Sequence, residues 1–298
     1  MLSPEIIKKI KKIHLKSGRL VNSMMAGQYR SVFRGSGIEF EEVREYSPGD
    51  DVKSIDWKVS ARLGKPFIKR FREERELIVM LLVDLSASGR FGTGERTKQE
   101  SAAEVAAVLA FNAIRNNDKV GAILFTDQVE KYIPPKKGSN HVWRVIKEIF
   151  AFTPSHRGTD MDGAVSYLGR VCRKRTVSFI ISDFIHPKSG GEVPRRLKSA
   201  GRRHEMIAVL IFDPGEFNLP SAGILKLEDL ETQTQIVLDA SDPATRKHYH
   251  RLRQQDYQQI RDRLKTIDVD CVEMPTDGDA AEILSRYFRL RERRKRLG

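Results

Sequence analysis

Four short apolar runs fix most of what this chain can become. They are Leu77–Val83, Val120–Phe125, Val177–Ile181 and Met206–Phe212, each five to seven residues long and rich in Val, Ile or Leu. Runs of that length with no polar alternation suit strands buried on both faces of a sheet. Between the first two lies Lys98–Arg115, rich in Ala and Val and free of Gly and Pro, which reads as a helix. It is apolar on nearly every side around Val105, Val108, Leu109 and Ile114, so it belongs in a buried layer. Val142–Phe150, Met161–Arg173, Ala244–Lys265 and Asp279–Arg294 read as further helices, Gly191–Ala200 as a weaker one and Val269–Glu273 as a short strand. Repeated alternation of strand and helix predicts an α/β fold, a doubly wound, mostly parallel sheet flanked by helices.

Two stretches depart from that alternation. Residues 18–76 hold Gly35-Ser-Gly37, Ser47-Pro48-Gly49-Asp50 and Leu63-Gly-Lys-Pro66 between short mixed segments, and read as a small β-rich annex after a basic segment, 1–17. The α/β body then covers 77–298, with a β-hairpin insertion near 223–238 around Glu231-Thr-Gln-Thr234. The 298 residues carry 53 Lys+Arg against 40 Asp+Glu, a net charge of +13. The basic excess makes nucleic acid or an acidic partner worth weighing, although Arg289–Arg296 also reads as the solvated end of a helix. No apolar run approaches the ~18 residues of a membrane span, and the first residues lack a signal-peptide core. Two cysteines, Cys172 and Cys271, exclude a disulfide framework and point to a reducing, cytoplasmic setting.

In open α/β sheets the ligand crevice lies beyond the carboxyl ends of the strands. The first buried run ends in Asp84-Leu-Ser86-Ala-Ser88, whose alternate side chains project to one side if extended. The third ends in Ser182-Asp183, and Gly158-Thr159-Asp160 opens a predicted helix between them. One by one, Ser88, Thr159 and Asp183 are ordinary helix-capping residues. Together at one sheet edge they form a hard oxygen set suited to Mg²⁺ or Mn²⁺.

Asp84-x-Ser86-x-Ser88, Thr159 and Asp183 resemble the metal-ion-dependent adhesion site of von Willebrand factor A-like domains, themselves Rossmann-like. Gly37–Asp51, Ser54–Arg62, Asp84–Gly92, Asp118–Gly121, Asp213-Pro214 and Leu227–Asp229 are similar to a bacterial family known as domain of unknown function fifty-eight. Gly89 stands where Met is common in that family, and Gly215 where Arg is common. The resemblance implies that Ser86, Ser88 and Thr159 offer hydroxyls to the ion, with Asp84 and Asp183 binding directly or through water. It implies an open coordination position for a partner's carboxylate, and a partner that is a MoxR-type AAA+ ATPase or its client.

Catalytic readings fare worse. A haloacid-dehalogenase phosphatase needs an acid two residues after its nucleophile, where Ser86 stands. Gly89-Arg-Phe-Gly-Thr-Gly94 nearly spells a P-loop, but Glu95 replaces the phosphate-binding Lys. No Gly-x-Ser-x-Gly elbow or His-Glu-x-x-His occurs, and His248 and His250 point to different helix faces. In the annex, Glu39, Glu41, Glu42, Glu45, Asp50, Asp51 and Asp56 read as turn formers paired with Arg44, Lys53, Lys58 and Arg62, and Trp57 as a packing anchor. The expectation is a non-enzymatic, metal-dependent protein-interaction module. The alternative is a basic nucleic-acid or anionic-surface binder with a structural metal, disfavoured because aromatics do not recur among the Arg/Lys clusters.

Overall fold

The computed structural model describes residues 39–72, 77–185 and 195–297. The basic segment 1–17 and the first part of the expected annex lie outside them. The chain divides into two compact units, 33–77 and a body that includes 78–298.

In the small unit, β1 (Glu39–Glu45) and β2 (Phe67–Arg72) pair antiparallel. A 3-10 turn, Val52–Ser54, and a helix, α1 (Trp57–Leu63), join them. The expected ion pairs are realised for Arg44 with Asp50 at 2.6 Å. Asp51 and Asp56 act as caps: the Asp51 carboxylate accepts from the Lys53 N–H, and Asp56 from those of Lys58 and Val59. That cap starts α1 at Trp57, and Gly64, in the left-handed region at φ 73°, ends it. Trp57 therefore sits on the first turn of a helix and is 70% exposed, so it is not the packing anchor its strand-like surroundings suggested.

The body is the α/β sheet that the apolar runs predict. Its strands are β3 (Ile78–Asp84), β4 (Lys119–Phe125), β5 (Val129–Lys136), β6 (Val177–Ser182), β7 (Glu205–Phe212) and, after the hairpin strands β8 (Ile224–Glu228) and β9 (Gln235–Asp239), β10 (Asp270–Pro275). The sheet order is β10-β7-β6-β3-β4-β5, parallel throughout except β5, which returns antiparallel to β4. The apolar pattern does not announce β5, because Val129–Lys136 is polar and carries Pro134 and Pro135. Proline lacks the N–H that an inner strand must donate, so this strand is confined to an edge.

The helices are α2 (Lys98–Arg115), α3 (Ser139–Ala151), α4 (Met161–Val171), α5 (Arg195–Gly201), α6 (Pro243–Thr266) and α7 (Ala280–Leu297). A capping box between Thr97 and Glu100 starts α2, which is buried along most of its length as predicted. The other helices lie within a few residues of expectation. Cys172 and Cys271 are free thiols. No helix among the described residues is long and apolar enough to cross a membrane.

Strand order decides where a site belongs. From β3 the chain moves to β4 on one side, then crosses to β6 on the other. The connections diverge between β3 and β6, and the gap at their carboxyl ends is the sheet's natural crevice.

Candidate metal centre

β3 ends on Asp84 and β6 on Ser182, two parallel neighbours whose register pairs Val83 with Ile181. Side chains leaving these ends must therefore meet. The Ser182 hydroxyl donates to Asp84 Oδ2 at 2.6 Å, and the Ser86 backbone N–H donates to Asp84 Oδ1 at 2.9 Å. Burial first, then the charge of Asp183, pushes the Asp84 carboxyl upward, against the opposing effect of the bonds from Ser182 and Ser86. Just beyond Asp183, Phe184 is fully buried with φ 56°, a backbone state costly for an aromatic residue.

The extended geometry expected for Asp84-x-Ser86-x-Ser88 stops at Ser86, because Ala87–Arg90 forms a 3-10 turn. The turn still converges the hydroxyls: Ser86 Oγ and Ser88 Oγ lie 3.0 Å apart. Asp84, Ser86, Ser88, Ser182 and Asp183 line one cavity of about 10 Å³. That is close to the ~10–15 Å³ one water requires, a size that suits an ion rather than an organic ligand.

Thr159 is absent from that lining, and the capping role belongs to its neighbour: Asp160 accepts from Gly163 N–H at the start of α4. The Arg157 carbonyl accepts from Ala87 N–H at 2.8 Å, which ties the Thr159 loop to the Ser86–Ser88 turn. Thr159 Oγ1 is left to donate to Glu231 Oε1 at 2.9 Å. Glu231 comes from the tip of the β8–β9 hairpin. Burial, together with the charges of Asp183 and Asp84, pushes this carboxyl up to about 7 despite the Thr159 bond.

Asp183 has a partner that the sequence did not suggest. Lys98, the first residue of α2, places its ammonium 2.7 Å from Asp183 Oδ2 and 2.6 Å from Glu216 Oε1, while only 3% exposed. Burial alone would lower this lysine's pKa, but the two carboxylates outweigh it and raise it. Behind the pair, Asp213 accepts from Thr93 N–H and Oγ1, Gly215 N–H and Thr276 Oγ1, joining the loops after β3, β7 and β10. These bonds hold its carboxyl below the usual range against the effect of burial. Asp213 is fully buried, and its work is to fix the loops around the cavity.

The donor chemistry fits a hard divalent cation. Asp84 and Asp183 line a cavity rich in hydroxyls beside the Lys98 ammonium, and Glu216 and Glu231 stand outside that lining, bonded to Lys98 and Thr159, so that four carboxylates outnumber one ammonium. A divalent charge would offset most of that excess. Among the described residues, no three His, Cys, Asp or Glu side chains gather as a ligand cluster. A cation here would rest on two carboxylates and on hydroxyls.

An uncharacterized protein of Mycobacterium tuberculosis (strain ATCC 25618 / H37Rv), Rv1480, is 28% identical over 293 residues, 97% of this chain and 91% of its own. The uncharacterized protein YeaD of Bacillus subtilis (strain 168) is 31% identical over 108 residues, 36% of this chain and 25% of its own. Among solved structures, the conserved hypothetical protein BatB from Bacteroides thetaiotaomicron superposes with a TM-score of 0.48 at 17% identity, covering 73% of this chain and 99% of that one. The model of the family described as protein of unknown function DUF58 matches residues 42–259, most of the chain, which therefore belongs to that family.

Proposed function

We propose that the protein is a non-catalytic, metal-dependent protein-interaction module. Asp84, Ser86 and Ser88 would hold Mg²⁺ or Mn²⁺, with Asp183 beside them and Thr159 facing the outer side. The observation that carries this reading is the convergence of Asp84, Ser86, Ser88 and Asp183 on one ion-sized cavity at the sheet's switch point. When bound, the cation supplies a hard positive centre that prefers oxygen and leaves a position for an incoming carboxylate. A partner protein's Asp or Glu is the proposed occupant, and by family resemblance that partner is a MoxR-type AAA+ ATPase or its client. A cytoplasmic setting belongs to the same proposal.

The absence of catalysis is proposed from what surrounds the hydroxyls. Ser86 Oγ meets Ser88 Oγ, and no histidine is bonded to either hydroxyl among the described residues, so the base–orienter pair of a serine nucleophile is not assembled there. In the basic C-terminal helix, Arg291 is engaged by Glu205 and Asp270, and Arg294 lies 3.7 Å from Asp270, which takes two of its arginines out of a phosphate-binding row. Arginines held by acids are poor at neutralising phosphates.

Titration calorimetry with Mg²⁺ on wild type, Asp84→Ala and Asp183→Ala tests the reading. One weak site is expected in wild type, abolished by Asp84→Ala and weakened by Asp183→Ala. Equal heats from all three proteins would refute it.

A further inference from the structure

The hairpin strands β8 and β9 form a two-stranded ribbon that leaves Ile224 76% and Val237 69% exposed. An isolated ribbon of this kind is marginally stable in water. Its tip is nevertheless well defined. Asp229 Oδ1 accepts from the N–H groups of Glu231 and Thr232 at 2.9 and 2.8 Å, and Gln233 adopts φ 61°. Between Thr232 and Val237 every residue is exposed, whereas Glu231 is turned inward and half-buried.

Glu231 reaches across 72 residues of sequence to Thr159 Oγ1 at 2.9 Å. One of the five site residues read from the sequence, Thr159, therefore holds a carboxylate of the same chain. Its side-chain hydrogen bond comes from the Thr159 hydroxyl, while the like charges of Asp84 and Asp183 act on it. A half-buried carboxylate that feels two like charges is unfavourable unless a cation offsets them.

We propose that Glu231 is the site's own anionic ligand, its carboxylate taking the open position beside the cation so that the hairpin competes with a partner's carboxylate. This rests on the metal-dependent reading above. A tethered ligand acts at millimolar or higher effective concentration. A partner's apparent affinity is then reduced by the fraction of sites that the tether leaves open. Asp229 is a positioning residue that aims Glu231.

The test uses the full chain as wild type, Glu231→Gln and Asp229→Ala, with Mg²⁺ and a hexaglutamate peptide as probes. In wild type, Mg²⁺ should slow amide exchange across residues 229–234 several-fold, and it should leave exchange there unchanged in Glu231→Gln. Mg²⁺ affinity should fall about tenfold in Glu231→Gln, in keeping with loss of one tethered charged ligand. The Mg²⁺-loaded variant should bind hexaglutamate about tenfold tighter than loaded wild type, because the competitor is gone. Asp229→Ala should move all three readouts the same way by a smaller factor. Equal Mg²⁺ affinity in wild type and Glu231→Gln, with hairpin exchange indifferent to Mg²⁺, would overturn the inference and leave the proposed function standing. A variant that binds the peptide no better than wild type overturns the competition. Wild type that binds no Mg²⁺ would refute the proposed function and this inference together.

Discussion

At the scale of single residues, Lys98 is the most consequential side chain that the sequence did not reveal. Its ammonium is buried between Asp183 and Glu216, and removing one member of a buried pair strands the others. Lys98→Met should therefore cost about 3–5 kcal/mol in urea denaturation without metal, on the general cost of breaking buried charge pairs. A loss within experimental error would mean that the two carboxylates are already neutral or solvated. The legible residues and the hidden ones differ in kind. Asp84, Ser86, Ser88 and Asp183 follow apolar runs, so the rule that ligands sit at strand ends finds them without a structure. Thr159 is found by the family motif; it stands outside the cavity lining, and its hydroxyl donates to Glu231. Lys98, Glu216 and Glu231 meet partners 85, 118 and 72 residues away, and local pattern carries no trace of such pairings.

At the scale of elements, the seam between β6 and β7 contains a polar chain, His204 to Thr176 at 3.0 Å and Thr176 to Ser178 at 2.7 Å, all buried. Burial, then the charges of Arg203 and Arg175, lowers the His204 pKa from its ordinary value. The folded pKa thus lies below the unfolded one, near 6.5. The contribution of the neutral imidazole is complete above that value and is lost as pH falls below it, because the unfolded state binds the proton first. The urea midpoint of wild type should drop between pH 7.5 and 5.5 more than that of His204→Gln. Parallel slopes in the two proteins would show that His204 is not the titrating group. Elements were readable where their hydrophobic period was clean. The buried runs gave β3, β4, β6 and β7, and α2 has its capping box spelled out at Thr97 and Glu100. β5 escaped because an edge strand may be polar and hold Pro134 and Pro135. The run around Trp57 misled because the Asp56 cap, a choice of backbone hydrogen bonds, outweighed a strand-like composition.

At the scale of the whole molecule, the net charge of +13 says less than its arrangement in the body. Arg291 and Arg294 of α7 meet Glu205 and Asp270, while the carboxylates of Asp84 and Asp183, from the ends of β3 and β6, line one cavity with the Ser86 and Ser88 hydroxyls. A basic chain has thus set two carboxylates and two serine hydroxyls at the crevice where its strand connections diverge. That convergence is the basis for reading the protein as a cation-dependent binder of carboxylates, and it can be examined without knowing the partner. The most direct measurement is anomalous diffraction from crystals of the full chain grown with Mn²⁺. The account predicts an anomalous peak bounded by Asp84, Ser86 and Ser88, lost in Asp84→Ala crystals. A cavity without a peak at saturating Mn²⁺, with Lys98 as its sole cation, would contradict it.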